Sequence, residues 1–249
     1  MYTKTIFAVI AFLLCYFFCV AQQEDTVTCY ELRIYKCFPG RVPALEKRFR
    51  EHTIFLFEKH GIKNIGYWLP ANKEPNTLYY IIAYPNRGTR DSIWNAFALS
   101  SEWTEVKRKS EEDGKIVDKV ISVFMTASAV SPPVAALDNG IPHVFELRKY
   151  QCGPELFPLL VHSFDAGGRA VLEKHNIQTI AIWNIADTVS NLKGLMCLFA
   201  YKKETSVIKN AWESVKKDAR WSKLAMENNG NVVGPHVVLL YPTGFSKMK

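Results

Sequence analysis

Apolar and polar residues alternate along Tyr30-Glu31-Leu32-Arg33-Ile34-Tyr35, the period of a strand with two unlike faces. Leu32 and Ile34 fall on one face, and Glu31, Arg33 and Tyr35 on the other. The phrase returns 115 residues later as Phe145-Glu146-Leu147-Arg148-Lys149-Tyr150. A period of this length is too long for a solenoid and has the size of a duplicated domain. The correspondence continues: Glu58-Lys59-His60-Gly61-Ile62 matches Glu173-Lys174-His175-Asn176-Ile177, and Ile65-Gly66-Tyr67-Trp68 matches Ile180-Ala181-Ile182-Trp183. Leu78 to Tyr84 matches Leu195 to Tyr201 at an offset of 117, and Trp94 and Trp103 match Trp212 and Trp221 at 118.

Within one copy, Pro39-Gly40 ends the first strand and leads into a helix whose Leu45, Phe49, Thr53 and Leu56 share a stripe. Gly61, and Asn176 in the second copy, suit a helix end in the left-handed conformation. Strands are predicted over residues 64–69 and 77–84, a second helix from about Asp91 through Trp94, Phe97 and Val106, and a last strand over 116–126. In the second copy Gly167-Gly168 fall inside the first helix, weakening it and permitting a close approach to its backbone.

The order β-α-β-β-α-β is ferredoxin-like. It predicts an α+β fold of two tandem ferredoxin-like domains, 28–130 and 143–245, joined by a linker, 131–142, that is rich in Pro and small residues. Both helices of such a unit lie on one sheet face. The other face, carrying Tyr80, Ile82 and Tyr84 or their alternates Tyr79, Ile81 and Ala83, needs a cover. The other copy can supply it, so the two antiparallel sheets are expected to pack face to face as a barrel within one chain. On this arrangement Glu31, Arg33, Tyr35, Glu146, Arg148 and Tyr150 point inward.

Charge and address change the picture at the N-terminus. Residues 1–21 carry a single charge, Lys4, an apolar run from Ile6 to Val20, and small residues at Val20-Ala21. This reads as a secretory signal peptide, since the run is shorter than the roughly 20 residues a membrane-crossing helix needs. The expected mature protein is exported, periplasmic or secreted, with no stable membrane insertion after cleavage. Loss of Lys4 lowers the net charge from +7 to +6. The basic residues are interleaved with acids, as in Lys107-Arg108-Lys109 before Glu111-Glu112, so no nucleic-acid surface is expected. Cys29, Cys37, Cys152 and Cys197 remain. Cys37 and Cys152 share a repeat position, which invites a bridge between the copies, whereas their apolar strands suit buried thiols.

At these residues the sequence resembles the NIPSNAP family, whose domains open on a strand of the form Tyr-Glu-Leu-Arg-x-Tyr, here 30–35 and, with Phe145 in first place, 145–150. The Ile-Gly-x-Trp strand and the tryptophans of the second helix carry the resemblance on, over nearly all of residues 28–242. It implies a dimeric α/β-barrel fold made within one chain, in a superfamily that includes haem-degrading and antibiotic-synthesis monooxygenases. The family brings no agreed reaction, and fold alone supplies none. Its eukaryotic members are tied to mitochondria and vesicle transport, from which the signal peptide here departs.

The candidates for proton transfer are Glu31, Tyr35, Glu146 and Tyr150, with His60 and His175 as bases or haem ligands at the barrel mouth. Their bland reading is a polar network and two helix-end imidazoles. Arg33 and Arg148 are expected to orient an acidic group on a ligand, with Trp68, Trp183, Tyr80 and Tyr84 walling an apolar pocket. No HExxH, HxH or CxxC spacing occurs, so no metal site is expected, and no cofactor is specified. The expected function is binding of a small, mainly apolar molecule between the sheets, with cofactor-free oxygenase or proton-transfer chemistry as its extension. The alternative is a non-catalytic interaction module with a solid barrel core. Oligomers are compatible with either.

Overall fold

The computed structural model describes residues 29–71, 75–137, 140–186, 191–202, 205–227 and 233–249, less the side chains of 205–207, 209, 225–227 and 233–234. The predicted signal peptide, residues 1–21, lies outside them. The first copy comprises β1 (Cys29–Cys37), α1 (Val42–Arg48), a π-helical turn (Phe49–Thr53), α2 (Ile54–Lys59), β2 (Lys63–Pro70), β3 (Thr77–Tyr84), α3 (Arg87–Ala98), α4 (Ser101–Ser110) and β4 (Val117–Ala127). The second comprises β5 (His143–Cys152), α5 (Phe157–His162), α6 (Ala166–Lys174), β6 (Gln178–Ile185), β7 (Lys193–Lys202), α7 (Thr205–Lys217), α8 (Ala219–Glu227) and β8 (Val233–Pro242). The strands run β1-β3-β2-β8-β5-β7-β6-β4 around a closed antiparallel barrel, in which each copy contributes one ferredoxin-like sheet. No helix among the described residues is long and apolar enough to cross a membrane.

Two seams close the barrel, and each repeats the other. Trp68, Leu69 and Pro70 pair with Pro242, Tyr241 and Leu240, and Ala127, Thr126 and Met125 pair with Trp183, Asn184 and Ile185. Beyond the ladders, Thr243 N donates to Tyr67 O (3.0 Å) and Ser128 N to Ile182 O (2.9 Å). Tyr67 N donates to Ser246 Oγ (3.0 Å) as Ile182 N donates to Ser131 Oγ (2.9 Å). Thus 128–131 and 243–246 are themselves repeated, and the predicted linker is more than a connector. Val134 and Leu137 pack against the barrel core, and Leu137 bridges Met248, so linker and C-terminal tail together cover part of the barrel's apolar interior.

The barrel holds one core and each helix layer another. Tyr30, Leu32, Tyr79, Ile81, Ala83, Phe145, Leu147, Met196 and Leu198 face the barrel. Leu78, Tyr80, Ile82 and Tyr84 face Leu45, Phe49, Phe57 and Phe97 under the first helices. Two aromatic pairs cross between the copies inside the barrel: Trp68 on Phe145 (ring centroids 5.6 Å) and Trp183 on Tyr30 (5.5 Å). Gly66 is required beside the first pair, because a Cβ there would run into the Trp68 indole.

Glu31, Arg33, Tyr35, Glu146, Arg148 and Tyr150 therefore do not point into the barrel as expected; they lie under the helices. The physical reason is solvation. A barrel lined by apolar side chains offers ionised groups no partners, whereas the helix layer supplies arginines, phenols and an indole, and a buried charge without partners is costly.

The helices also depart from the simple stripe. Thr53 Oγ1 donates to Arg48 O across the π-turn (3.1 Å), and this wider turn shifts the buried series to Leu45, Phe49, Thr53 and Phe57, leaving Leu56 half-buried. At the matching place in the second copy the helix breaks. Asp165 caps a new helix by accepting from Gly167 N (2.7 Å) and Gly168 N (3.1 Å). The close approach foreseen at this glycine pair is made by the chain itself, since a Cβ on Gly168 would strike the Ser163 carbonyl. The predicted second helix is two, because Ser100 caps α4 by accepting from Trp103 N (3.2 Å). Gly61 and Asn176 take the left-handed conformation, with φ of 77° and 61°. Among the described residues Cys29, Cys37, Cys152 and Cys197 are all buried, and Cys37, Cys152 and Cys197 are free thiols. Cys37 and Cys152 sit in the two different helix-side cores, so the bridge between copies is not formed, and burial pushes the Cys37 thiol up to about 11.

Met248→Ala is expected to lower the unfolding free energy by about 2–4 kcal/mol in urea titration, as for other buried methionines, while Lys247→Ala leaves it within about 0.5 kcal/mol. Gly66→Ala is expected to cost about 1–3 kcal/mol by overpacking and to alter the near-UV circular dichroism of the buried indole.

Candidate functional site

The row that opens β1 is the centre of a continuous charged network. Glu31 is fully buried, and its carboxylate accepts from Arg33 Nη1, from Arg90 Nε and Nη2 (both 2.8 Å) and from Tyr84 OH (3.3 Å). Arg33 Nε donates to Tyr80 OH (2.8 Å), and Arg33 also reaches Ser122 Oγ (3.1 Å) and Tyr35 OH (3.4 Å). Its guanidinium lies 4.1 Å over the Trp94 ring. Burial works against the Arg33 charge, but Tyr80, Tyr35 and Glu31 outweigh it and hold the group above its ordinary value. Burial, with Glu31 adding to it, pushes the Tyr84 phenol up, so this hydroxyl donates and does not serve as a base near neutral pH.

The second copy keeps the plan with fewer charges. Glu146 accepts from Arg148 Nε and from Tyr201 OH (2.7 Å), and Trp212 Nε1 donates to the same Tyr201 oxygen (2.7 Å). Arg148 lies 3.5 Å over Trp212. Tyr150 packs at a tilt on Phe164, ring centroids 5.5 Å apart, and burial pushes its phenol up, which likewise keeps the proton in place.

The remaining predicted residues are divided. Tyr80 and Tyr84 belong to the network under the helices, whereas Trp68 and Trp183 stand inside the barrel, on the other side of the sheets. The structure thus does not bring the expected arginines and the expected tryptophans to one site. His60 and His175 sit at the ends of α2 and α6, where each backbone N–H caps its helix. The His60 ring packs against Phe97 (6.0 Å), and His175 Nε2 is 3.1 Å from Asp218, placing both in the helix layer away from the barrel. Lys174, then His175, hydrogen-bond Asp218 and hold its carboxyl below the usual range.

Among the described residues, no group of three or more His, Cys, Asp or Glu could hold a metal ion. A surface groove of about 500 Å³ between α1 and α4, lined by Lys47, Arg48, Glu51, His52, Glu105 and Lys109 among others, contains none of the predicted site residues. Arg90 was missed from the sequence because the repeat does not carry it: the position 118 residues on is Ile208.

Glu31→Gln leaves two buried guanidiniums without their carboxylate and is expected to cost about 3–5 kcal/mol in urea titration. Glu146→Gln, which strips only Arg148, is expected to cost less; equal losses would contradict the two-arginine geometry.

Comparison with known proteins agrees with this architecture. No curated protein matches the chain. Among solved structures it is similar to a putative monooxygenase from Lactobacillus acidophilus NCFM, at 12% identity and TM-score 0.57, covering 87% of this chain and 94% of that one. It is also similar to an anthrone oxidase-like protein, at 9% identity and TM-score 0.59, covering 91% of this chain and 95% of that one. An uncharacterised NIPSNAP-like domain protein from Burkholderia xenovorans aligns at 19% identity and TM-score 0.39, over 43% of this chain and 91% of that one. The first two likenesses show the shared fold. Residues 30–132 and 145–247 each match the NIPSNAP family, and with most of its length accounted for in this way the chain belongs to that family, as a tandem pair of its domains.

Proposed function

We propose that the protein binds a small, mainly apolar molecule between the two sheets of its barrel, holding an oxygen on that molecule with the indole N–H groups of Trp68 and Trp183. The observation that carries this reading is that both indoles are wholly buried, stand at matched places in β2 and β6, and have no acceptor for Nε1 among the described residues. A buried donor left unpaired costs about 1–3 kcal/mol, and the chain bears that cost twice. Eight-stranded barrels are just wide enough to be filled by side chains or to hold one small ligand.

The barrel cluster is built of apolar side chains, with the buried imidazole of His143 packed 6.3 Å from Phe145 and its Nδ1 2.7 Å from Lys249 O. Oxidation of a ligand there would rest on the ligand's own reactivity toward oxygen, the cofactor-free chemistry to which the oxygenase-like names of two neighbours lend support. Proton transfer by Glu31, Tyr35, Glu146 or Tyr150 finds no support in a barrel they do not face. Export belongs to the same proposal and rests on the sequence of residues 1–21. The second reading, a solid-core interaction module, is favoured by the continuity of the buried barrel cluster.

Native mass spectrometry of residues 22–249 purified from a periplasmic expression host separates the two. The binding reading expects a retained small-molecule mass, with affinity lowered about 3- to 10-fold by either Trp68→Phe or Trp183→Phe, one neutral hydrogen bond each. A clean apo mass, together with thermal stability raised by both substitutions, would show that the donors face only side chains and would favour the solid core.

A further inference from the structure

We infer that the groove between α1 and α4 is a binding site, present in the first copy alone, for the carboxylate of a short aliphatic acid, with Arg48 as its anchor. It lies outside the barrel and does not rest on the barrel reading. Its volume, about 500 Å³, falls in the range of small-molecule sites. Among its lining residues Arg48 alone is buried, so this side chain forms the floor. Ala44 and Val106, both half-buried, give the groove an apolar wall from each helix.

The floor is only partly engaged by the protein. Arg48, its side chain 3% exposed, donates to Ser110 Oγ (3.3 Å) and Glu111 Oε1 (3.1 Å), and both bonds leave from Nη1. Its Nε is buried and has no hydrogen-bond partner among the described residues, and no bond leaves from Nη2. These two nitrogens share the edge of the guanidinium that receives a carboxylate side-on through two parallel N–H groups. The contrast with the other buried arginines of this copy is direct, since Arg33 and Arg90 each donate from Nε, Nη1 and Nη2. The Arg48 guanidinium lies 5.3 Å over the Trp103 ring, which holds its plane. A buried charged donor without an acceptor is costly, and a ligand oxygen relieves that cost.

The acids around the groove do not fill the edge, because each has a base of its own. Glu51 pairs with Arg50, Glu105 and Glu112 with Arg108, and Asp113 with Arg41. The second copy shows that the fold does not need a guanidinium here. Leu160 and Phe164 are buried as Leu45 and Phe49 are, yet the residue 115 on from Arg48 is Ser163, whose Oγ donates to Leu159 O (3.0 Å) within the helix. The π-turn that follows Arg48, and whose Glu51 and His52 line the groove, is likewise confined to the first copy among the described residues. Such turns occur often at functional sites.

Calorimetric titration of the full chain with sodium hexanoate tests this. The expected result is saturable binding of one hexanoate per chain, weakened about 10-fold or more by Arg48→Lys, which keeps a charge beside Glu111 and removes the side-on edge. Hexanamide, which lacks the charge, is expected to bind at least about 10-fold more weakly. Should Arg48→Lys not fold, Val106→Glu, on the groove wall, carries the test by setting a like charge against the carboxylate, with the same direction of change. Absence of saturable binding, binding untouched by these substitutions, binding removed by Trp68→Phe in the barrel, or equal affinity for inorganic phosphate would each overturn the proposal.

Discussion

The structure depends on covering two bare sheet faces. Each ferredoxin-like unit places its helices on one side of a four-stranded sheet, and the apolar residues of the other side, Leu32, Ile81 and their neighbours in the first copy, are buried only by the second. The cover is reciprocal down to single contacts, Trp68 on Phe145 and Trp183 on Tyr30. Each copy also sends a tail across the seam: Phe245 stacks on Phe49 and packs on Tyr67 in the first helix-side core, and Val130 packs in the second. Neither copy is a complete core alone, so the barrel ties both into one folding unit.

This constraint also decides where charge can go. With the barrel core apolar, the acid, arginine and last tyrosine of each opening strand are turned to the helices, where Glu31 gathers two arginines and a phenol and Glu146 one of each. The strand motif therefore joins sheet to helix layer, through Arg33 on Trp94 and Arg148 on Trp212. Chemistry in the barrel and chemistry under the helices are separated by the sheet itself, and a substitution in one region reads independently of the other when no partner is shared.

Much of this was legible in the chain. The alternation in β1, the doubled order of elements, Gly61 and Asn176 at helix ends, and a barrel made from two sheets all follow from pattern and turn chemistry. Which face of β1 looks inward does not. Alternation separates Leu32 from Glu31 and Arg33, but both faces are buried, one in the barrel and one under helices, so burial alone cannot orient the strand. The place of Tyr80 and Tyr84 was lost with it. Ser131 escaped because its composition reads as linker, although its hydroxyl accepts from Ile182 N as Ser246 accepts from Tyr67 N. The π-turn at Phe49–Thr53 shifts the buried stripe by one residue, which no regular helical period reveals. Arg90 was invisible for the opposite reason: the repeat directs attention to what both copies share.

The central claim is that the two copies close one barrel through matched seams. Native-state hydrogen exchange of the amides at Ala71, Thr243, Ser128 and Ala186, which all donate across the seams, tests it most directly. The account predicts that all four exchange only by global opening, with the same protection as the central β1 and β5 amides. Fast exchange at the seams, with protection kept inside β1–β3 and β5–β7, would mean two sheets that meet without closing and would contradict it.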